Sequence, residues 1–297
     1  MSVYNLKMNN VKMKRNMNTI VRYLTVLLCL VATACQEHTA IDFDRVEALM
    51  DPHPDSALAL LDTLHAEQQH YTAKDRARYY LLLTEAKDKC FLTHTTDTLI
   101  RFSAEYYEQH NDRHHYAKAL YLQGRIYEDW RENEQSAACW VKALDYGKDS
   151  EDHYLLYRIT CQLATMYAYH GIADRAMDLY KETLRYAVKT QDSGLIALGH
   201  SYIGRVYGMK KDWANASTWY EKGLAISQKT KRKGSRHKIL QEYIGICNNY
   251  HLYEKADSII TVLNADPNFE KNAPYYLCVG NYYRHKKDTA RAVPFLQ

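Results

Sequence analysis

Few residues in this chain have the types and spacings that do covalent chemistry. Gly147-Lys148-Asp149-Ser150 has the look of a phosphate loop, in which backbone N–H groups of a Gly-rich turn cradle the phosphate and a Lys reaches it. The upstream Gly and a preceding strand are missing, so a helix-ending turn is expected. His114-His115 are candidate metal ligands, yet adjacent residues on a helix point about 100° apart. No carboxylate or Cys stands at ligand spacing from them, and a solvated or capping pair is expected. Of seven cysteines, Cys29 and Cys35 lie in the N-terminal segment, leaving Cys90, Cys139, Cys161, Cys247 and Cys278. Five is odd and none forms a C-x-x-C pair, which supports neither a disulfide framework nor a zinc site. Buried thiols acting as small hydrophobes are expected. G-x-S-x-G, H-E-x-x-H, a P-loop and G-x-G-x-x-G are all absent. The sequence therefore points to no catalytic residue, no metal and no cofactor, and to something other than an enzyme.

Charge separates the chain into two parts. Residues 1–34 hold Lys7, Lys12, Lys14, Arg15 and Arg22 and no acid, so the remainder carries 34 basic against 35 acidic residues. The net +4 belongs to this segment, and the near-neutral body argues against a nucleic-acid partner, which needs a sustained basic surface. Tyr23 to Ala34, YLTVLLCLVATA, is too short for a membrane-spanning helix of about 20 residues. A basic flank, a short apolar run and small residues describe a secretory signal peptide. Ala32-Thr33-Ala34-Cys35 resembles a bacterial lipobox, with Ala32 where Leu is usual. That resemblance makes 1–34 a lipoprotein signal peptide and Cys35 the lipidated residue, with 35–42 a short tether. Several acyl chains give stable anchoring.

Internal repetition organises the rest. Gly124, Ala164, Gly204 and Ile244 are spaced by 40 residues; three positions later stand Tyr127, Tyr167, Tyr207 and Cys247. Twelve after each anchor come Ser136, Ala176, Ala216 and Ala256, and sixteen after it Trp140, Tyr180, Tyr220 and Ile260. A fifth copy, after a 36-residue step, runs Gly280, Tyr283, Ala292 and Leu296. Small residues at the anchor and at +12 let two antiparallel helices approach, while bulky ones at +3 and +16 fill the space to the next pair. Such hairpins bury their faces only by stacking. Breaks within units are expected at 132–134, 170–171, 211–212 and 285–288, and between units at 147–150, 191–194, 232–235 and 264–268. Upstream, 72–89 with 97–111 and 43–50 with 54–64 read as hairpins lacking the signature. Thr72 with Asp75 has capping-box spacing, and Pro54-Asp55-Ser56 suits a first helical turn.

The small, aromatic, small, bulky order resembles the tetratricopeptide repeat over 115–297, with a longer period than usual and a degenerate fourth copy. It implies an all-α, right-handed superhelical solenoid of antiparallel helix pairs: five repeats, the last incomplete at Gln297, preceded by degenerate hairpins over 43–114. The resemblance also implies that the first helix of each unit lines a concave groove. Groove-facing offsets then hold Lys118, Tyr121, Arg125, Arg158, Thr165, Tyr169, Ser201, Arg205, Lys238, Gln241, Asn248, Asn281 and Arg284. Basic residues prevail, with Glu128 and Asp129 as exceptions, so the groove suits an acidic or C-terminal-carboxylate peptide; a merely solvated polar face is the alternative. Of the 27 Tyr residues, those at signature positions are expected to pack the solenoid, leaving Tyr121, Tyr169 and Tyr202 freer for a ligand. The basic stretch Lys229 to Lys238 is expected in a between-repeat loop, solvated or facing acidic groups such as lipopolysaccharide phosphates.

Val46 to Met50 and Pro54 to Asp62 resemble the opening of a class of Bacteroidetes tetratricopeptide lipoproteins and membrane-bound regulators. This implies a membrane-anchored scaffold that binds a protein or peptide in the bacterial cell envelope, held at the outer membrane in preference to the inner, its body periplasmic or surface-exposed. The alternative is the extracytoplasmic sensory module of a signalling or transcriptional regulator whose output domain lies outside this chain.

Overall fold

The computed structural model describes residues 42–230 and 233–296, so the expected signal peptide over 1–34 and Cys35 lie outside the described residues. Among the described residues there are fourteen α-helices, one short 3-10 helix (His65–His70) and no strand. The helices are α1 (Phe43–Met50), α2 (Pro54–Leu64), α3 (Ala73–Lys89), α4 (Thr98–Gln109), α5 (Arg113–Asp129), α6 (Asn133–Gly147) and α7 (His153–Tyr169). They continue with α8 (Ala173–Thr190), α9 (Ser193–Met209), α10 (Trp213–Ser227), α11 (Lys233–Asn249), α12 (Tyr253–Ala265), α13 (Ala273–His285) and α14 (Thr289–Leu296). None of the described helices is long and apolar enough to cross a membrane.

Four of the unit-opening helices and α3 start on a short polar cap that satisfies an open N–H group. Asp112, Asp152 and Asp192, each 12 residues before its anchor, accept from the backbone N–H of His115, Leu155 and Leu195 at 3.1, 2.9 and 3.2 Å. Asn272 does the same for Tyr275 at 3.0 Å, and Thr72 for Asp75 at 3.2 Å. His114 and His115 serve these caps: His114 Nε2 lies 3.1 Å from Asp152 Oδ2, and His115 Nδ1 lies 2.8 Å from Asp112 Oδ2. Gly147 to Ser150 is a turn closed by the Ser150 N–H on the Gly147 carbonyl at 2.9 Å.

The turn inside each unit closes the same way five times. Arg131, Gly171, Lys211, His251 and Lys287, all seven residues after their anchors, have φ between 57° and 74°. The following N–H reaches back to the carbonyl at +3, as in Glu132 to Tyr127 and Asp212 to Tyr207, both at 2.9 Å. This is the Schellman closure of a helix end.

Side-chain volume then fixes how closely the two helices pack. A Cβ on Gly124 would stand 2.3 Å from Trp140 Nε1, one on Gly204 2.9 Å from Tyr220 Cδ2, and one on Gly280 2.6 Å from Leu296 Cδ2. The residue at +16 thus lies on its own unit's anchor. It also meets the next unit: Tyr180 stacks on Tyr202 at 5.1 Å and Tyr220 on Tyr243 at 4.8 Å. At +12, Ser136 donates to the Gly124 carbonyl at 2.7 Å. The aromatics at +3 are only half-buried, so they edge the packing and do not fill it as expected.

Helices α3 with α5, α9 with α11 and α11 with α13 touch directly, forming an inner layer backed by the second helices. Three apolar clusters follow one another along the stack, the first two sharing α3 and the last two sharing α7. One expected break is displaced. Helix α11 begins at Lys233, so Gly234, Ser235 and Lys238 are helical and the basic stretch is not a single loop.

Candidate functional site

The inner face divides into two halves that differ in how their cations are paired. In the first half, Glu85 and Asp88 stand one turn apart on α3 with side chains only 7% and 8% exposed. Lys118 Nζ of α5 lies 2.6 Å from Glu85, and Arg125 Nε 3.0 Å from Asp88. Arg158 of α7 reaches Asp88 at 2.9 Å and Glu85 at 3.5 Å. Arg125 also pairs with Glu128, which accepts from Gln162 Nε2 at 3.1 Å. Three cations meet three carboxylates, and no charge is left over for a ligand. Burial works against the charge of Arg158, but Tyr121, Tyr154, Glu85 and Asp88 outweigh it and hold its guanidinium above its ordinary value.

Two sequence expectations fail here for the same reason. Lys118, Arg125 and Arg158 face inward, yet they tie α3, α5 and α7 together and do not offer positive charge to an acidic peptide. Tyr121, 3% exposed, lies under the Arg158 guanidinium at 4.5 Å and is not free for a ligand. Lys118 and Arg158 border a small cavity of about 300 Å³ together with Glu47, Asp51, Glu85 and Asp152.

The second half opens into a groove of about 1070 Å³ between α7, α9, α11 and α13. It gathers Thr165, Tyr169, Arg205, Lys238, Gln241, Asn248, Asn281 and Arg284 from four different units. Tyr169, 85% exposed, projects at one edge. Tyr202 lines the groove but is 3% exposed, roofed by Arg205 at 5.1 Å and Lys238 at 5.4 Å. Ser201 is fully buried and bonds back to the Leu198 carbonyl at 2.8 Å, so it contributes nothing to this surface.

Arg205 forms the floor. Its Nη2 lies 2.5 Å from Glu242 Oε1, its Nη1 donates to Tyr180 Oη at 3.0 Å, and Thr165 Oγ1 lies 2.9 Å from the same hydroxyl. Burial opposes its charge, while Glu242 and the neighbouring tyrosines overcome that and hold Arg205 well above its ordinary value. Burial pushes the hydroxyls of Tyr202 and Tyr220 up in turn, so both stay protonated. At the rim, exposed Lys238 donates to Tyr202 Oη at 3.1 Å, and Arg284 is exposed. Among the described residues neither Lys238 nor Arg284 has a carboxylate within ion-pair distance.

Glu242, Tyr220 and Cys161 also line this groove. The +16 offset assigns Tyr220 to packing alone and Cys161 shares the −3 offset of Tyr121 and Ser201, while Glu242 falls outside the offsets, although an acid two positions before the Ile244 anchor, four after Lys238, is a visible signal for the Arg205 partner. The apolar wall comes from Ile246, Phe269, Leu277 and Cys278. The five cysteines within the described residues are free thiols.

Comparison with solved structures places this geometry. The aspartyl phosphate phosphatase F of Bacillus subtilis superposes with a TM-score of 0.62 at 15% identity, over 84% of this chain and 66% of that one. RapI in its apo form gives 0.63 at 11% identity, over 85% and 93%. The quorum sensor NprR of B. thuringiensis gives 0.61 at 11% identity over 95% and 92%, and NprR with its cognate peptide NprX 0.59 at 15% over 93% and 83%. By fold, the chain is a tetratricopeptide-like solenoid. No family model matches its sequence, and no curated protein matches it.

Proposed function

We propose that this solenoid binds a peptide, or an extended segment of a protein, in the groove between α7, α9, α11 and α13. The observation that carries the reading is the contrast along the inner face: Glu85 and Asp88 occupy the cations of the first half, whereas Lys238 and Arg284 at the groove rim have no carboxylate partner. A concave surface with an apolar wall, a few fixed polar groups and free rim cations suits a ligand carrying Asp, Glu or a C-terminal carboxylate. NprR, which shares the fold, was crystallised with its cognate peptide. A cellulose-bound array of octapeptides, varied in acidic content and with free C-termini, tests this: retention of acidic sequences supports it, and no retention above background contradicts it.

The lipobox-like Ala32 to Cys35 and the short apolar run before it support a lipid-anchored Bacteroidetes-type scaffold at the bacterial envelope. Fatty-acid labelling of the full chain and of Cys35→Ala tests the anchor, since label must disappear in the variant. A sensory role in a signalling protein is the second reading, favoured by the likeness to a structure described as a quorum sensor.

A further inference from the structure

Three polar atoms of groove-lining residues are buried without a hydrogen-bond partner: Tyr220 Oη, Glu242 Oε2 and Asn248 Oδ1. Tyr220 is 0% and Asn248 3% exposed, so water does not offset the loss. Such a deficit is uncommon among buried polar groups, and three around one groove ask for an explanation. The partners of the same side chains are fixed elsewhere: Glu242 Oε1 holds Arg205 at 2.5 Å, and Asn248 Nδ2 donates to the Cys278 carbonyl at 3.1 Å. Each group therefore keeps one side anchored and one acceptor unmet. Gly245 lies between them at three-residue steps along α11, and a Cβ there would meet nothing within 4 Å. The helix surface is open where the two acceptors flank it.

Charge decides what kind of donor belongs there. Arg205, Lys238 and Arg284 line the groove against the carboxylates of Glu242 and Glu270, which leaves positive charge in excess, and Glu242 is already paired with Arg205. An incoming ammonium or guanidinium would meet like charge in a poorly solvated setting. A neutral N–H meets none. The terminal torsions of Glu and Asn are soft, so a small rotation turns either oxygen toward the groove.

We infer that the floor beside Gly245 is an amide-reading site, in which Glu242 Oε2 and Asn248 Oδ1 accept N–H groups of a bound peptide and reject cationic side chains. This rests on the peptide-binding reading above. It adds that the rim cations take the ligand's carboxylate while the floor takes its neutral amides, either from the backbone or from an Asn or Gln side chain.

The test uses the full chain and the best-retained octapeptide of the acidic array. That peptide is remade with an N-methyl group at each backbone position in turn, and separately with Ala at each Asn or Gln. Affinity is measured by fluorescence anisotropy against wild type, Asn248→Ala and Gly245→Leu. Loss of one hydrogen bond to a buried group predicts about tenfold weaker binding for at least one altered peptide. A backbone source shows in the N-methyl series, a side-chain source in the Ala series. In Asn248→Ala that penalty must shrink, because its acceptor has gone. Gly245→Leu, whose Cβ meets nothing within 4 Å and whose folding is checked by circular dichroism, must block binding. Tolerance of every modification, an unchanged penalty in Asn248→Ala, or array selection for Lys and Arg overturns the inference while leaving peptide binding standing. Failure of the array to retain any peptide overturns both.

Discussion

Arg158 of α7 meets Asp88 of α3 at 2.9 Å across a gap of 70 residues in sequence, with both side chains largely withdrawn from water. The same Asp88 receives Arg125 of α5. This carboxylate therefore ties three inner-layer helices together, and removing it leaves Arg158 only its longer contact to Glu85 and Arg125 only its pair with Glu128. Asp88→Asn is expected to destabilise the fold by roughly 3 kcal/mol, the scale for breaking a buried pair on one side, read from urea unfolding. The groove lies in the other half, so the affinity of an array-selected peptide should not change in that variant.

Packing at the repeat anchor predicts a reversal of ordinary helix propensity. Gly→Ala inside a helix normally stabilises by about 1 kcal/mol. At Gly124 the new methyl would stand 2.3 Å from the indole nitrogen of Trp140, which is itself fixed by donating to the Tyr121 carbonyl at 3.1 Å. Gly124→Ala should therefore lower stability by about 1–3 kcal/mol through overpacking. Gly245→Ala, with open space around it, should raise it, and thermal unfolding of the two variants together gives the contrast.

The turn at +7 predicts the opposite pair of effects. Lys211 sits at φ 60° and Gly171 at φ 74°, a region that costs an L side chain roughly 1 kcal/mol or more and glycine almost nothing. Lys211→Gly should stabilise by about 1 kcal/mol and Gly171→Ala destabilise by a similar amount. Nothing lies within 4 Å of a Cβ at Gly171, so the effect there is one of backbone alone.

Acid titration should expose the contact between α11 and the loop after α12. Asp266 Oδ2 lies 2.8 Å from His237 Nε2, and this bond, with those from Asn268, lowers the Asp266 pKa from 3.8 to about 2. A carboxyl depressed on folding adds stability that is present above its unfolded value and lost as pH falls through its folded one. The difference in melting temperature between wild type and Asp266→Asn should accordingly be constant above about pH 4 and vanish toward about pH 2.

Legibility in the sequence followed side-chain volume. The anchor, +12 and +16 positions carry residues whose sizes must match across a hairpin, so Gly124, Ser136 and Trp140 announced their packing. The N-caps were legible for the same local reason. The turn at +7 was legible in place, at 170–171, 211–212 and 285–288, but not in its left-handed conformation, because four of its five carriers are Arg, Lys or His and carry no such signal. Nor was the closed first half of the inner face. Glu85 and Asp88 lie in a hairpin without the repeat signature, so no alignment placed them opposite Lys118, Arg125 and Arg158, and the surplus of basic residues looked available. Tyr121 and Tyr202 fall outside the signature and so read as free in the sequence, yet stacking under Arg158 and Arg205 covers them.

The division of the inner face is tested most directly by one affinity comparison. The best acidic octapeptide from the array is titrated by fluorescence anisotropy into wild type and Lys238→Glu/Arg284→Glu, a pair of exposed rim changes whose folding is checked by thermal unfolding because Lys238 also donates to Tyr202. The account predicts at least about tenfold weaker binding in the double variant, a loss of about 1.4 kcal/mol that reversing two rim charges readily supplies at low salt. Equal affinity in the two proteins would contradict it.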